Sequence, residues 1–154
     1  VDDETMESAL AVVLSAQSLS LGLAESLTGG LIAARLVNVP GASTWFKGSV
    51  VSYDSEVKFS LLGVRHGPVV TREAAEQMAT GARRVLGADV ALAVTGVAGP
   101  DDQDGQRPGT VFVGIDIGQG VPESFELHLP GDRQRVRQYA AISALDVLRR
   151  RLNA

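Results

Sequence analysis

The sequence predicts an α/β fold, a single three-layer αβα domain built on a mixed β-sheet. Several segments carry apolar residues at helical spacing, and short apolar runs of strand length alternate with them. The run over 89–97 is almost continuously apolar, as expected of a central strand that is covered on both faces. The chain has 154 residues, 45% of them hydrophobic, with no repeat and no long linker. We therefore expect one domain over 1–154.

The N-terminal half is predicted to contain three helices and two strands. In 4–16 the apolar side chains fall on one helical face, and Asp2 or Asp3 is available as the N-cap. The sequence Thr28-Gly29-Gly30 then marks a tight turn between a strand and a helix. The remaining elements of this half are strand 19–26, helix 31–37, strand 45–53 and helix 55–62.

The C-terminal half is predicted to begin and end with a helix. The first covers 71–86, with Thr71 as its N-cap. The second covers 133–152 and starts at the N-cap Asp132. Its predicted buried stripe is Val136, Tyr139, Ala140, Ile142, Ser143 and Leu145. Between the two helices lie strand 89–97, a polar loop over 101–108, strand 110–117 and strand 123–129. The last two strands are close enough in sequence to form an antiparallel pair.

Composition and charge exclude several kinds of site. The formal net charge is −4, from 18 acidic and 14 basic residues, so the overall field does not favour nucleic acid. The sequence has no cysteine, which removes disulfides, thiolate-bound metals and a cysteine nucleophile. His66 and His128 stand in unrelated contexts, so we expect no metal site and no Ser-His-Asp triad. We find neither a membrane span nor a leader pattern and therefore expect a cytoplasmic protein.

Four polar groupings lie where predicted strands end and helices or loops begin, the usual place for ligands in open α/β sheets. They are Glu25-Ser26 with Thr28-Gly29-Gly30, Tyr53 with Lys58, Thr95-Gly96 with Ala98-Gly99-Pro100, and Arg133 with Arg137. Ser26 ends a strand just before a helix whose first N–H groups we expect to be free, and such a turn can hold an anion or an oxyanion. The alternative is that Ser26 or Thr28 only caps the helix.

Lys58 and Tyr53 each have a catalytic and a non-catalytic interpretation. A lysine near a serine in a site that excludes water can lose its proton and act as the general base. Lys58 is one of only two lysines, the other being Lys47, but an exposed or partly paired lysine also fits the pattern. Tyr53 can relay a proton or hold a carbonyl, or it can be an amphipathic residue at the rim of a strand.

The other two groupings are equally ambiguous. The small residues from Thr95 to Pro100 allow a close approach of backbone to ligand, or they form an ordinary turn after a strand. Arg133 and Arg137 are four residues apart and share a helix face. Arg133 lies in the first turn, where a cation opposes the helix dipole unless an anion is near. Phosphate or Asp132 can be that anion, and a solvated helix face is the alternative.

The same groupings occur, in the same order, in a known family. The matching motifs are Ala24-Glu25-Ser26-Leu27-Thr28-Gly29-Gly30, Pro40-Gly41-Ala42-Ser43, the segment 51–58 with Tyr53 and Lys58, Leu61-Leu62-Gly63-Val64, Thr95-Gly96-Val97-Ala98-Gly99-Pro100, and Gly131-Asp132-Arg133 with Val136-Arg137. Ordered motifs over about the whole chain are more specific than any one of them. The sequence therefore resembles the CinA C-terminal domain family, also called the PncC-type nicotinamide mononucleotide amidohydrolases.

The resemblance implies hydrolysis of the carboxamide of nicotinamide mononucleotide to nicotinic acid mononucleotide and ammonia, with no metal and no organic cofactor. By position, it implies Ser26 as the nucleophile, Lys58 as its general base and Tyr53 as an assisting residue. The positions that it implies for binding substrate or oxyanion are Glu25, Thr28, Gly29, Gly30, Thr95, Gly96, Ala98, Gly99 and Arg137. It also implies a homo-oligomer, in which the site can border a partner subunit.

The sequence departs from the family pattern in three places. Leu27 stands where the family usually has cysteine, and Ser55 where it usually has asparagine. The loop over 101–110 is acidic and shorter than the glycine-rich loop of the family, so phosphate affinity or substrate identity can differ. Two alternatives therefore stay open: a nucleotide-binding or regulatory module without turnover, and a hydrolase that acts on a different amide or ester.

Overall fold

The computed structural model describes residues 5–154, which build one five-stranded sheet. The helices are α1 (Met6–Ala16), α2 (Leu31–Leu36), α3 (Ser55–Leu62), α4 (Arg72–Leu86) and α5 (Arg133–Asn153). The strands are β1 (Leu21–Glu25), β2 (Phe46–Val51), β3 (Val90–Gly96), β4 (Thr110–Asp116) and β5 (Glu123–His128). The strand order is β2-β1-β3-β4-β5; β1 pairs in parallel with β2 and β3, and β4 is antiparallel to β3 and β5. The predicted mixed sheet and its antiparallel last pair are confirmed.

Helices cover both faces of the sheet, which confirms the three-layer αβα prediction. Along β3, Leu92 and Val94 enter the core formed with α1, α2 and α5, whereas Ala91 and Ala93 enter the core formed with α3 and α4. This alternation follows from the two-residue period of a strand. A strand that is apolar on both faces therefore lies at the centre of the sheet, as its sequence predicts.

The α4 layer lies close to the sheet because small residues form the contact. The buried face of α4 is Ala74, Ala75, Met78, Ala79, Gly81 and Ala82. A Cβ at Gly114 of β4 would overlap the carbonyl oxygen of Ala75, and a Cβ at Gly81 would overlap that of Leu62 at the end of α3. These two approaches require glycine. They fix α4 to the sheet and α3 to α4, and α3 carries Lys58.

The helix starts agree with the predicted capping residues where the structure describes them. The N-caps of α4 and α5 are Thr71 and Asp132, whose side chains accept hydrogen bonds from backbone N–H groups of the first turn. The predicted caps of α1, Asp2 and Asp3, lie outside the described residues. Within the described part of the chain, Thr5 is the N-cap of α1.

One face of α5 differs from its prediction. Tyr139 and Ile142 are 41% and 38% exposed and Ser143 is only half-buried, so their assignment to the buried stripe is wrong. The buried face is Val136, Ala140, Ala141, Ala144, Leu145 and Leu148. Three alanines share this face with Val136, Leu145 and Leu148, and apolar periodicity alone does not distinguish it from the neighbouring positions of Tyr139 and Ile142. No helix in residues 5–154, α5 included, combines the length and the apolar character that a membrane crossing needs.

Candidate functional site

A cavity of about 450 Å³ opens where β1 and β3 end. Because β1, β2 and β3 are parallel, the segments that follow them meet at one edge of the sheet. The predicted site residues that line the cavity are Ser26, Tyr53, Lys58, Thr95, Gly96, Ala98 and Gly99. The other predicted site residues lie outside its lining: Glu25, Thr28, Gly29, Gly30 and Arg137. The structure thus brings the three residues with implied catalytic roles into one cavity.

Ser26 is the first residue after β1, and only 8% of it is exposed. Its N–H donates to the carbonyl of Val94 in β3 at 3.1 Å, which extends the sheet by one hydrogen bond. Its carbonyl accepts from the Gly29 N–H at 3.1 Å and closes the turn. The backbone of Ser26 is therefore fixed on both sides, and its side chain lies in the wall of the cavity.

The buried carboxylate of Glu25 organises the turn that carries Ser26. Its donors are the hydroxyls of Thr28 and Ser49, each at 2.8 Å, and the N–H groups of Gly30, Ile32 and Ala33, at 3.2, 3.0 and 3.1 Å. The expectation of free N–H groups at the start of α2 is therefore wrong. An internal carboxylate already bonds them and faces the positive end of the helix dipole. The alternative in which Ser26 or Thr28 caps α2 is wrong for the same reason.

Arg137 braces the same turn from α5. Its Nε donates to the Leu27 carbonyl at 2.7 Å and its Nη2 to the Thr28 carbonyl at 3.4 Å. Gly29 and Gly30 have φ values of 59° and 106°, which favour glycine, and a Cβ at Gly29 would lie 3.2 Å from the guanidinium. In this structure these residues shape the turn, and their role in binding substrate stays a prediction.

Lys58 is the largest fully buried side chain that carries a charge, with 1% exposure. Its Nζ donates to the carbonyls of Ser52 at 2.7 Å and Tyr53 at 3.3 Å, which use two of its three hydrogens. Burial lowers the pKa of Lys58 from 10.5 to about 8 because desolvation disfavours the ammonium, and the carboxylates of Asp54 and Asp104 partly oppose that shift. The alternative of an exposed lysine is wrong. The lowered pKa raises the fraction of Lys58 that is a free amine near neutral pH.

Arg133 joins Tyr53 to the loop after β3. Its Nη1 donates to the Gly99 carbonyl at 2.6 Å and its Nη2 to the Tyr53 hydroxyl at 3.0 Å. Tyr53 is 62% exposed, so this pair forms the outer rim of the cavity. Of the two arginines singled out in the sequence, Arg133 rather than Arg137 lines the cavity. Arg133 lies in the first turn of α5, where a cation is unfavourable without an anion nearby. This position is the sequence signal that favours Arg133 as the arginine of the site.

The loop after β3 is shaped by contacts within the chain. The Thr95 hydroxyl donates to the Val69 carbonyl at 2.8 Å. A Cβ at Gly96 would lie 2.7 Å from the Thr110 carbonyl oxygen, and one at Gly99, whose φ is 92°, would lie 2.9 Å from Pro108 Cβ. These glycines are thus required by the chain's own packing, whether or not a ligand also approaches them.

Several lining residues were not predicted from the sequence. They are Val69, Val70, Asp101, Asp102 and Gln103, with Leu27 and Val97. The two valines precede α4, far from the other groupings in sequence, and no local pattern indicates them. The valines make part of the cavity lining apolar, and the aspartates make part of it acidic.

Within residues 5–154 no cluster of three or more histidine, cysteine or acidic side chains is arranged to hold a metal ion.

Comparisons with known proteins give consistent matches. The model of the CinA C-terminal domain matches residues 3–152. A CinA-like protein of Frankia casuarinae is 46% identical over 155 residues, which cover 97% of this chain and 36% of the relative. A CinA-like protein of Dictyoglomus thermophilum is 45% identical over 157 residues, which cover 97% of this chain and 38% of the relative. The chain spans little more than a third of the length of these curated relatives.

Solved structures share the same fold. The crystal structure of a competence-damaged protein (CinA) superfamily protein from Klebsiella pneumoniae has a TM-score of 0.90 at 31% identity and covers 96% of both chains. The competence/damage inducible protein CihA from Agrobacterium tumefaciens has a TM-score of 0.87 at 30% identity, with 97% of this chain and 96% of that chain covered. The predicted α/β architecture is thus confirmed by similar folds at matching lengths.

Proposed function

Because the chain belongs to the CinA C-terminal domain family, we propose that it hydrolyses the carboxamide of nicotinamide mononucleotide to nicotinic acid mononucleotide and ammonia. The observation that carries this proposal is that Ser26 and Lys58, a buried lysine with a lowered pKa, line one cavity. The cavity, of about 450 Å³, lies within the range of roughly 300–1,000 Å³ that small-molecule sites occupy. The cavity volume fits many small molecules, and the identity of the proposed substrate comes from the family resemblance.

In the proposed mechanism Lys58 acts as the general base for Ser26. The free amine takes the proton of the Ser26 hydroxyl as Oγ attacks the amide carbon, and the resulting ammonium gives that proton to the amide nitrogen, so that the C–N bond breaks and ammonia leaves. Water then attacks the acyl-serine with Lys58 again as the base, the ester bond to Oγ breaks, Oγ takes the proton back from Lys58, and the carboxylate product is released. The lowered pKa supports this role because a base works best with a pKa near the operating pH. In this structure Lys58 Nζ donates to the carbonyls of Ser52 and Tyr53. Catalytic hydrogen bonds often tighten only when substrate is bound, so these two contacts are compatible with a role as base.

The turn after β1 leaves few groups for stabilising the oxyanion. The N–H groups of Gly29 and Gly30 are already bonded to Ser26 and Glu25. We therefore propose the N–H groups of Leu27 and Thr28 as oxyanion donors, since they directly follow the nucleophile.

Arg133 is the basic side chain that we propose for the phosphate of the mononucleotide. It lines the cavity at the outer rim, where its guanidinium can exchange the Tyr53 contact for a charge-assisted contact with an anion.

We also propose, from the family resemblance, that the protein is a cytoplasmic homo-oligomer. Gel filtration with light scattering tests the assembly.

A nucleotide-binding module without turnover is the second candidate. The observation that favours it is the position of Lys58 Nζ, whose hydrogen bonds to the Ser52 and Tyr53 carbonyls also suit a purely structural ammonium. Asp101 and Asp102 in the cavity lining further separate this chain from the family pattern.

Ammonia release from nicotinamide mononucleotide tests the two candidates. We expect release by the wild-type protein, loss of release in Ser26→Ala, and full release in the control Ser60→Ala, whose hydroxyl bonds to the Glu56 carbonyl on the exposed face of α3. Nicotinamide and glutamine, which lack the nucleotide, should not be hydrolysed. An increase in melting temperature with the mononucleotide, without ammonia release, would instead establish the binding module.

A further inference from the structure

A tight turn in the acidic loop brings a carboxylate against the cavity wall. Gln103 and Gln106 exchange backbone hydrogen bonds of 3.1 and 2.8 Å. The two residues between them, Asp104 and Gly105, both have positive φ values, 53° and 75°. This is the turn geometry that an Asp-Gly pair favours in a hairpin. The turn directs the side chain of Asp104 toward the segment that precedes α4.

One oxygen of Asp104 joins two distant parts of the chain. Its Oδ2 accepts from the N–H groups of Val69 at 2.8 Å and Val70 at 3.1 Å. Both valines are buried and line the cavity, and the Val69 carbonyl accepts from the Thr95 hydroxyl at the end of β3. A continuous set of contacts therefore runs from Asp104 through the valine wall to the central strand.

The same carboxylate lies among the charges that surround Lys58. Asp54, the N-cap of α3, and Asp104 both raise the pKa of Lys58 against the larger effect of burial. The other ionisable groups in the lining of this cavity are Tyr53, Asp101, Asp102 and Arg133. Asp104 is exposed on its outer side, so salt weakens its effect on Lys58.

We propose that Asp104 is a positioning residue of the site. Its carboxylate fastens the acidic loop to the Val69–Val70 wall and provides part of the negative charge that acts on the Lys58 amine. The consequence for turnover rests on the proposed function, whereas the effect on the amine can be measured without it. The two roles of Asp104 can be separated experimentally. Both hydrogen bonds go to one carboxylate oxygen, and the amide oxygen of an asparagine can accept them without carrying the negative charge.

Direct titration of Lys58 tests the charge. Protein labelled with ¹³C at lysine gives signals from two residues, and Lys47→Arg identifies the signal of Lys58. We expect Lys58 to titrate at lower pH in Asp104→Asn than in the wild-type protein at low salt. Asp54→Asn, which keeps an N-cap side chain, should cause the larger shift. Asp146→Asn on α5 is the control and should leave the titration unchanged.

Stability and turnover complete the test. Asp104→Ala removes the acceptor as well as the charge, so its melting temperature should fall below that of Asp104→Asn. The rising limb of the pH–rate profile in Asp104→Asn should move to lower pH together with the titration. If Asp104→Asn does not fold, Asp104→Ser replaces it, since a hydroxyl also accepts a backbone hydrogen bond.

An unchanged Lys58 titration in a folded Asp104→Asn or Asp104→Ser variant would overturn the charge role, and wild-type stability of Asp104→Ala would overturn the fastening role. A shifted titration in a protein that releases no ammonia would support this inference and contradict only the proposed function.

Discussion

The two sides of the cavity are built in different ways. On the Ser26 side, the buried Glu25 carboxylate accepts five hydrogen bonds and Arg137 bonds two carbonyls, so the turn is part of the folded core. On the other side, the loop over 101–108 is largely exposed, and Asp104 links it to the valine wall. Ser26, the proposed nucleophile, is therefore positioned by interactions that stabilise the fold. The surroundings of Lys58, the proposed base, can in contrast be altered at smaller cost to folding.

The largest expected effect lies in the proposed pair itself. Ser26→Ala and Lys58→Ala should each reduce ammonia release by at least roughly 100-fold, and the double variant should be scarcely slower, because a base and its nucleophile work as a unit. The measurement is the initial rate at saturating mononucleotide, with Ser60→Ala as the control. Losses that add in the double variant would show that the two side chains have separate roles.

The next largest effect is on stability, at the Ser26 side. Glu25→Gln should lower the free energy of unfolding by roughly 3 kcal/mol, because an amide group replaces a carboxylate oxygen that faces several buried donors. Urea unfolding measures the change. Glu56→Gln, on the exposed face of α3, is the matched control. If the two variants were equally stable, the rigidity assigned to the Ser26 side would be incorrect.

Arg133 and Arg137, both on α5, should have different roles, one in substrate binding and the other in the stability of the turn after β1. Arg133→Ala should raise KM for the mononucleotide by about 10- to 100-fold, since a charge-assisted phosphate contact is lost. Arg137→Ala should mainly lower the melting temperature, because its guanidinium bonds the carbonyls of Leu27 and Thr28. Steady-state kinetics and thermal unfolding of both variants measure the split. A higher KM in Arg137→Ala alone would reverse the assignment.

The last expected effect is a pH dependence of stability that comes from Lys58. Its pKa is about 8 in the folded state against 10.5 unperturbed, so the unfolded state binds more protons between these pH values. The free energy of unfolding should therefore rise with pH across this window, by about 3 kcal/mol in total, and the destabilisation caused by the buried ammonium should be fully present below pH 8. Lys58→Met should lack this rise in urea unfolding at pH 8 to 10.5. Identical slopes in the two proteins would mean that Lys58 titrates normally.

Local patterns in the sequence were sufficient for the elements and for part of the site. Thr71 and Asp132 cap helices because the cap is a contact within one turn. Ser26, Tyr53 and Lys58 meet because they follow parallel strands, whose carboxyl ends share one edge of a sheet.

Contacts between distant segments could not be predicted in the same way. Nothing in the spacing of Glu25 shows that its carboxylate turns inward to bond α2, which leaves the helix without free N–H groups. The choice of Arg133 over Arg137 for the cavity wall depends on how α5 crosses the sheet. The Val69–Val70 wall depends on two hydrogen bonds that its N–H groups donate to Asp104, which lies 35 and 34 residues away in the loop after β3.

Lys58→Arg separates a base from a charge at this position. Arginine keeps the positive charge but cannot accept a proton at neutral pH, so it preserves an electrostatic role and removes a basic one. The measurement is the rate of ammonia release across pH 6 to 10 by Lys58→Arg, with Lys47→Arg as the matched control on an exposed part of β2. We expect Lys47→Arg to match the wild-type protein and Lys58→Arg, with its fold intact, to lose at least roughly 100-fold at every pH. Near-normal rates in Lys58→Arg would contradict the account and identify Lys58 as a charge that only positions substrate.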